Sequence, residues 1–420
     1  MSSAGRFRKD FPALRARDGR RAPSYLDSAC MSLVPRSVLE AMEEYYSDFP
    51  GCGGRSFHRY AQKVSQRFEG ARERFARFFS VSDPRGVVFI RNATEAINLV
   101  AQGTAWKRGD RVLVSDQEHN SNLVAWQRLV HERGIRLDIL PLSADGTFDG
   151  DRLEECLQRK VRLVSLFHTS NLDGRTLPIA EIVERAHDRG AQVLFDGCQA
   201  APHRAVFFDR VGVDFYAISA HKMLGPTGTG VLLGRFDALS ALRPLSVGGD
   251  TVEWTTLTDH QLRAPPHRFE AGLQNYAGVI GAAAGLDYLQ AVGWERVEEI
   301  QLAANRWVSR ELADEPRVRV LGPSNPAKRS SIFAFLLEGI DPHDVALFLD
   351  QGYDVLVRSG MHCVHSFYER GGLTGNARAS FYFYNDLTDA RRLVRGVREL
   401  LKRVPLRPAG VPRAASHAAK

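Results

Sequence analysis

Phe215-Tyr-Ala-Ile-Ser-Ala-His-Lys-Met-Leu-Gly-Pro-Thr-Gly-Thr-Gly230 is the stretch on which the fold turns. Phe215 to Ile218 is a short apolar run, which reads as a buried strand. It ends in Ser219-Ala-His221-Lys222 and breaks into Gly225-Pro226 and Gly228-Thr-Gly230 before a second apolar run, Val231 to Leu233. A lysine therefore stands at the mouth of a strand, beside a serine and a histidine, with glycines that let backbone approach closely. The chain has 8 lysines against 48 arginines, so a lysine in this setting is unusual. A partly desolvated lysine amine next to another cation has a lowered pKa and can form a Schiff base. Taken alone, the residues leave a loop lysine at a strand end equally open.

The chain of 420 residues exceeds one small core, and two domains are expected. A hydrophobic fraction of 44% with 25% charged residues is ordinary for a globular protein. No apolar run approaches a membrane span, and Met1 to Asp10 lacks the apolar stretch of a signal peptide. The expectation is a cytoplasmic protein that does not engage a membrane. The net charge of +7 is spread along the chain with acidic residues interleaved, and there is no nucleic-acid motif. Cys30, Cys52, Cys156, Cys198 and Cys363 are odd in number and have no CxxC spacing, which argues against a disulfide framework or a metal site.

Outward from Lys222 the chain alternates strand and helix. Strand-like runs are Val87–Ile90, Arg111–Ser115, Leu137–Leu140, Val161–Phe167, Gln192–Phe195, Phe215–Ile218 and Val231–Leu233. Helical stretches Thr94–Ala101, Asn122–Arg133, Asp151–Arg159 and Ile179–Arg189 lie between them. This is the grammar of an α/β protein with a mainly parallel seven-stranded sheet covered by helices. The expected organisation is an arginine-rich N-terminal segment (1–22), a large domain (23–285), a small α+β domain (286–404) and a disordered tail (405–420). Further expectations are a short strand at Tyr25–Cys30, an irregular stretch over 240–275 and one long helix from Val279 to Leu312. In the small domain, strands are expected at Ser331–Leu337, Asp354–Val357 and Ala379–Tyr384, and helices at Pro342–Gln351 and Asp389–Val404. The glycine-rich loop Phe49–His58 carries Cys52, Arg55 and His58, for which a substrate-facing role and a plain connection are both open.

In such sheets ligands bind at the carboxyl ends of the strands. Those ends carry Arg91-Asn-Ala93-Thr94-Glu, Ser115-Asp-Gln-Glu-His119, His168-Thr-Ser-Asn171, Asp196-Gly-Cys-Gln199 and Ser219-Ala-His221-Lys222. Five polar strand ends converging on one crevice point to a site. A lysine Schiff base with a carboxylate for a pyridinium nitrogen is the protein side of pyridoxal 5'-phosphate chemistry. Asp196 suits the nitrogen and His119 the ring face. Asn171 and Gln199 suit the phenolic oxygen. The helix that begins at Ala93-Thr94 offers free N–H groups to phosphate, with Ser219 and His221 beside it.

The set Ala93-Thr94-Glu95, Glu118-His119, Ser170-Asn171, Asp196-Gly-x-Gln199, Ser219-x-His221-Lys222 and Phe269-Glu-Ala-Gly272 resembles class V aminotransferase-fold enzymes, and within them the SUF-type, group II cysteine desulfurases. The resemblance extends from about Tyr25 to Leu401. It implies a fold type I pyridoxal phosphate enzyme that acts as a homodimer, with Lys222 as the Schiff-base lysine. It also implies that Val357-Arg358-Ser-Gly-Met-His362-Cys363 carries the nucleophile, Cys363, and that Arg378 in Arg378-Ala-Ser380 binds a substrate carboxylate. His119 and Lys222 join Cys363 as catalytic residues, and Arg358, Asn171 and His58 join Arg378 in binding substrate. On this reading Lys222 removes the Cα proton of L-cysteine and the Cys363 thiolate, helped by Arg358 or His362, takes the sulfur as a persulfide. Alanine leaves, and the sulfur passes to an acceptor protein, as in iron-sulfur cluster assembly. Alternatives within the fold are a selenocysteine lyase, another C–S lyase or an amino-acid epimerase. Two departures stand out: Val364-His365-Ser366 follows the cysteine where the family commonly has Ala-x-Pro, and Leu273 and Tyr276 stand near a missing inter-subunit phosphate threonine, with Tyr276 as its substitute.

Overall fold

The computed structural model describes residues 5–16, 19, 21–143 and 145–404. The tail expected to be disordered, 405–420, lies outside them. The chain begins with α1 (Gly5–Arg8), β1 (Ser24–Tyr25), α2 (Arg36–Asp48) and α3 (Arg59–Phe79). The large sheet and its helices follow: β2 (Val87–Ile90), α4 (Ala93–Gly103), β3 (Arg111–Ser115), α5 (Asn120–Arg133), β4 (Arg136–Leu140), α6 (Gly150–Leu157), β5 (Val161–Phe167), α7 (Ile179–Asp188), β6 (Gln192–Asp196), α8 (Phe208–Val211), β7 (Phe215–Ser219), β8 (Gly230–Gly234) and α9 (Phe236–Ser240). Their spatial order is β2-β8-β7-β6-β5-β3-β4. β8 runs antiparallel to β2 and to β7, and every other pairing is parallel. The seven expected strands are therefore all present. β6, β7 and β8 are buried almost throughout, as a sheet covered on both faces requires.

β2 is an edge strand, and its outer side is closed by a buried ion pair. Arg72 Nη1 donates to Val87 O at 2.7 Å and to Glu270 Oε1 at 2.7 Å, while Phe89 N donates to the same Oε1 at 2.8 Å. Edge groups that a further strand would have paired are satisfied in this way.

The stretch expected to be irregular contains a hairpin, β9 (Val252–Thr255) with β10 (His260–Leu262). The single helix expected over Val279–Leu312 is two, α10 (Tyr276–Val292) and α11 (Trp294–Glu311), because Gly293 at φ +83° interrupts the helical path. α10 lies against α2 so closely that a Cβ at Gly281 would come within 2.6 Å of Met42 Cγ. This is the close packing that the small residues of α10 permit.

The remainder is β11 (Val318–Val320), β12 (Ile332–Leu337), α12 (Pro342–Tyr353), β13 (Val355–Leu356), β14 (Arg358–Gly360), α13 (His365–Arg370), β15 (Asn376–Ser380) and α14 (Leu387–Arg403). β11-β12-β15-β14 form an antiparallel sheet. The expected strand Ala379–Tyr384 stops at Ser380: Phe381 to Tyr384 are a fully buried aromatic turn, with Tyr382 N bonded to Asn385 Oδ1 at 2.8 Å. The expected strand Tyr25–Cys30 shortens to β1, which pairs in parallel with β13 rather than with the large sheet. Within the N-terminal segment the Phe11 ring packs against Tyr288, Phe383 and Tyr384.

Candidate active site

The strand ends of the large sheet meet in a crevice of about 230 Å³, lined by Ala29, Cys30, Asn92, Ala93, Thr94, His119, Ser121, Asn171, Asp196, Cys198, Ser219, His221, Lys222 and Arg358. Ala93, Thr94, His119, Asn171, Asp196, Ser219, His221, Lys222 and Arg358 were all expected from the sequence to share a site. Lys222 follows β7 in a single 3₁₀ turn, Ala220–Lys222. That turn is held by Ser32, whose N donates to His221 O at 2.9 Å and whose Oγ accepts from Leu224 N at 2.7 Å. Asp196 ends β6, and its Oδ1 accepts from Cys198 N at 3.0 Å. The residue between them must be glycine, because a Cβ at Gly197 would sit 1.9 Å from the Tyr216 ring.

The first turn of α4 faces the same space. Asn92 Oδ1 accepts from Glu95 N at 3.0 Å and Ser219 Oγ from Ala93 N at 2.9 Å, which leaves the Thr94 N–H as the unpaired donor of that turn. Thr94 Oγ1 bonds Ser121 Oγ at 2.7 Å. His119 caps α5, its Nδ1 accepting from Ser121 N at 3.1 Å, so the remaining ring proton is on Nε2. Burial, and then the Lys222 charge, push the His119 imidazole down to about 4, so at neutral pH it presents an uncharged ring.

Two amides bind protein carbonyls. Asn171 Nδ2 donates to His362 O at 2.7 Å and Gln199 Nε2 to Ala29 O at 2.6 Å. Gln199 does not line the crevice. Cys363 lies on the loop after β14, with Arg358 Nη2 3.5 Å from its Sγ. His362 and Cys363 both take positive φ, +48° and +60°, a costly backbone state for two successive residues with side chains. Burial, followed by the Arg378 and Arg358 charges, drives His362 down to about 2. It is neutral, with Nε2 directed to Asn376 O at 3.1 Å, so the cation beside the thiol is Arg358 and not His362. Arg378 lies behind Asn171, fully buried, bonded to Asn171 O at 2.8 Å and Asp27 Oδ1 at 3.2 Å, and its Nε has no partner.

Other expected residues lie elsewhere. His58 is exposed and caps α3, its Nδ1 accepting from Ala61 N at 3.3 Å, so this chain does not bring it to the crevice. Tyr276 is buried with its hydroxyl on Gly53 O at 3.2 Å, which removes it as a free phosphate donor. Cys30 and Cys198 line the crevice, and Cys52 does not. Sequence reasoning missed Asp27 and Ser32. Asp27 follows a two-residue strand in the small layer, and only the three-dimensional pairing of β1 with β13 carries it to Arg378.

A lysine and a carboxylate on adjacent strand ends, an unpaired helix-start N–H and a neutral histidine ring suit an aromatic aldehyde phosphate. The architecture is that of the fold type I enzymes that use pyridoxal phosphate. The chain belongs to the aminotransferase class-V family, which it matches over residues 24–393. It is 37% identical to a cysteine desulfurase of Dickeya dadantii, over 94% of this chain and 96% of that protein. Among solved structures it resembles the apo cysteine desulfurase of Thermococcus onnurineus NA1, with a TM-score of 0.90 and 34% identity over 95% of this chain and 98% of that one. The cysteine desulfurase CsdA of Escherichia coli, solved in its S-sulfonic acid form, gives 0.88 and 34% over 96% and 99%.

Proposed function

We propose that the protein is a pyridoxal phosphate-dependent cysteine desulfurase of the SUF-type, group II kind, converting L-cysteine to L-alanine and keeping the sulfur as a persulfide on Cys363. The observation that carries this reading is the Cys363 thiol, held 3.5 Å from a guanidinium on a loop that Asn171 ties to the Lys222 crevice. Lys222 would hold the cofactor, with Asp196 on its ring nitrogen and His119 over its face. Ala93, Thr94, Ser219 and His221 would receive its phosphate. Asn171, which lines the crevice, retains one amide hydrogen for its phenolic oxygen, while Gln199 holds the Ala29 wall beside it. When bound, the cofactor supplies an electron sink for negative charge at the substrate's Cα.

The chain's own residues do the rest. Arg378 takes the substrate carboxylate, with Arg358 adding positive charge. Lys222 Nζ removes the Cα proton. The Cys363 thiolate, favoured by Arg358, attacks the substrate sulfur. The S–S bond forms as the C–S bond breaks, the electron pair of that bond goes to the substrate Cβ, which takes a proton, and Lys222 Nζ returns a proton to Cα to give alanine.

Further parts of the proposal are a homodimer, a cytoplasmic setting, a sulfur-acceptor protein and supply to iron-sulfur assembly. The homodimer is supported by apolar side chains left exposed near the hairpin, Val247, Trp254, Leu257 and Leu273. Among the described residues no helix is long and apolar enough to cross a membrane. We divide the chain into a large cofactor unit (23–285) and a small α+β unit (286–404).

The test is alanine release from L-cysteine in the presence of a thiol reductant, with wild type and Cys363→Ala both loaded with pyridoxal phosphate. Alanine from wild type alone supports persulfide chemistry at Cys363. Equal alanine from both overturns it in favour of a lyase that frees sulfur directly. None from either removes L-cysteine as the substrate.

A further inference from the structure

Cys363 is flanked by two helix starts. His119 is the N-cap of α5, so Asn120 is the first residue of that helix, and Val364 is the N-cap of α13, so His365 is the first residue of that one. The first N–H of a helix has no partner within the helix. Here each helix start supplies the other's segment. Asn120 N donates to Cys363 O at 2.6 Å, and His365 N donates to Asn120 Oδ1 at 3.3 Å. The third bond joins Asn120 Nδ2 to His365 Nδ1 at 2.7 Å.

The chemistry of this triangle is fully determined. A backbone N–H can only donate, so the Asn120 oxygen must face His365 N. The amide nitrogen then faces the ring, and Nδ1 must be the acceptor, with the ring proton on Nε2. Turning the amide over would set its NH2 against the His365 N–H and lose that bond. The arrangement joins the residue directly after His119 to the residues directly around Cys363, across 245 positions of sequence. It also gives a physical role to His365, one of the residues by which the segment after Cys363 departs from the pattern common in the family.

We propose that Asn120 and His365 form a latch that fixes the Cys363 peptide plane and so holds the thiol on the Arg358 side of the crevice. Neither residue touches the reacting atoms; both are positioning residues. The thiol has a reason to need such a hold. His362 and Cys363 sit in the left-handed region, where a side-chain-bearing residue relaxes readily to another conformation unless its surroundings prevent it. Val364 is buried with Leu172 and its N donates to Met361 O at 2.9 Å, and His362 O accepts from Asn171 Nδ2, so Asn120 N supplies the hold on the Cys363 carbonyl itself. The inference rests on the reading of Cys363 as the nucleophile for its catalytic consequence, but not for the latch itself.

The experiment compares the loaded full-length enzyme with Asn120→Ala, His365→Leu, His365→Gln and the Asn120→Ala/His365→Leu double variant. Amide hydrogen exchange is followed by mass spectrometry alongside alanine release from L-cysteine. Exchange of the peptide containing His365 should quicken about three- to tenfold in Asn120→Ala, the range spanned by one hydrogen bond of ordinary net strength. The peptide containing Asn120 should respond reciprocally in His365→Leu. His365→Gln, which keeps an acceptor, should stay near wild type. The turnover rate should fall with KM for L-cysteine unchanged, and the double variant should be no slower than the slower single one, as coupled residues require. Unchanged exchange in Asn120→Ala overturns the latch, as does an additive double variant. Faster exchange with no alanine from any form, wild type included, leaves the latch standing and rejects the desulfurase reading.

Discussion

Arg358 and Arg378 stand directly opposite one another across the β14–β15 ladder. Like charges at such positions disfavour a sheet. Two groups stand against them here: the Asp27 carboxyl, bonded to Arg378 at 3.2 Å, and the Cys363 sulfur, 3.5 Å from Arg358. Burial, with Arg358 contributing, holds the Arg378 guanidinium below its usual range. An arginine with an unpaired buried Nε is short of one acceptor, which an amino-acid carboxylate can provide.

Replacing Arg378 by Ala is therefore expected to lower kcat/KM for L-cysteine about 10- to 100-fold, the value of a hydrogen bond to a charged group. Steady-state kinetics with Arg378→Lys alongside decides between charge and geometry. Lysine restores the charge but not the planar fork, so most of the loss should remain. A fully active lysine variant contradicts a role for the guanidinium geometry.

Arg358→Ala should slow the alkylation of Cys363 by iodoacetamide at neutral pH severalfold, because the thiolate is the reacting species and loses its neighbouring cation. Mass spectrometry of the alkylated peptide reads this directly. Cys198 provides the internal comparison: burial pushes its thiol up to about 12, and it should stay unmodified in both proteins. An unchanged rate at Cys363 would show that the guanidinium contact has no chemical effect.

Borohydride reduction of the loaded protein should fix the cofactor to the peptide that contains Lys222, and Lys222→Ala should carry no such adduct. The variant should also lose alanine formation. An adduct on any of the other lysines would remove Lys222 from its proposed role.

Acid should destabilise this fold earlier than its carboxylates alone require. Unfolded histidines take a proton near pH 6.5. In the folded chain burial holds His119, His203 and His221 down to about 4, His168 to about 3 and His362 to about 2. Between those values and 6.5 the unfolded chain binds more protons than the native one, so stability falls as pH drops through that window. Glu118, which burial raises to about 8, and Asp27, which burial also raises, act in the opposite sense. The net loss is on the order of a few kcal/mol per pH unit. Urea midpoints at pH 7 and pH 5 test this, and equal midpoints contradict it.

Glu270→Ala should cost about 1–3 kcal/mol, since Arg72 keeps Glu69 and Val87 O but loses its buried partner, and Phe89 N loses its acceptor. Restoring an apolar pair with Arg72→Met/Glu270→Leu should recover only part of that, because Phe89 N and Val87 O then lose their partners on the sheet edge. Full recovery in urea unfolding would mean that the edge bonds contribute nothing.

The large sheet was legible because its strands are short, apolar and separated by amphipathic helices, each boundary marked by a polar strand end. Lys222, Asp196, His119 and Thr94 were legible for the same reason: they close those strands in sequence order. The small layer was harder. β15 reads Asn376 to Ser380, polar in composition though fully buried, whereas the aromatic run beyond it looks more like a strand and is a packed turn. The break at Gly293 was hidden because one glycine within a helical pattern is usually tolerated. Asp27, Ser32 and the Asn120–His365 pair were beyond reach, since nothing local marks a residue whose partner lies hundreds of positions away. His58 misled because a histidine beside a glycine-rich loop suggests substrate, while its position also suits a helix cap.

The pairing of β1 with β13 bears on how the molecule comes into being. Ser24–Tyr25 leaves the ribosome long before Val355–Leu356. The seven-stranded sheet can assemble as the chain emerges, but β1 has no strand to pair with until β13 arrives, with Arg358, Cys363 and Arg378 close behind it. A chain terminated before β13 thus has the lysine pocket without Cys363, the thiol proposed to receive the sulfur.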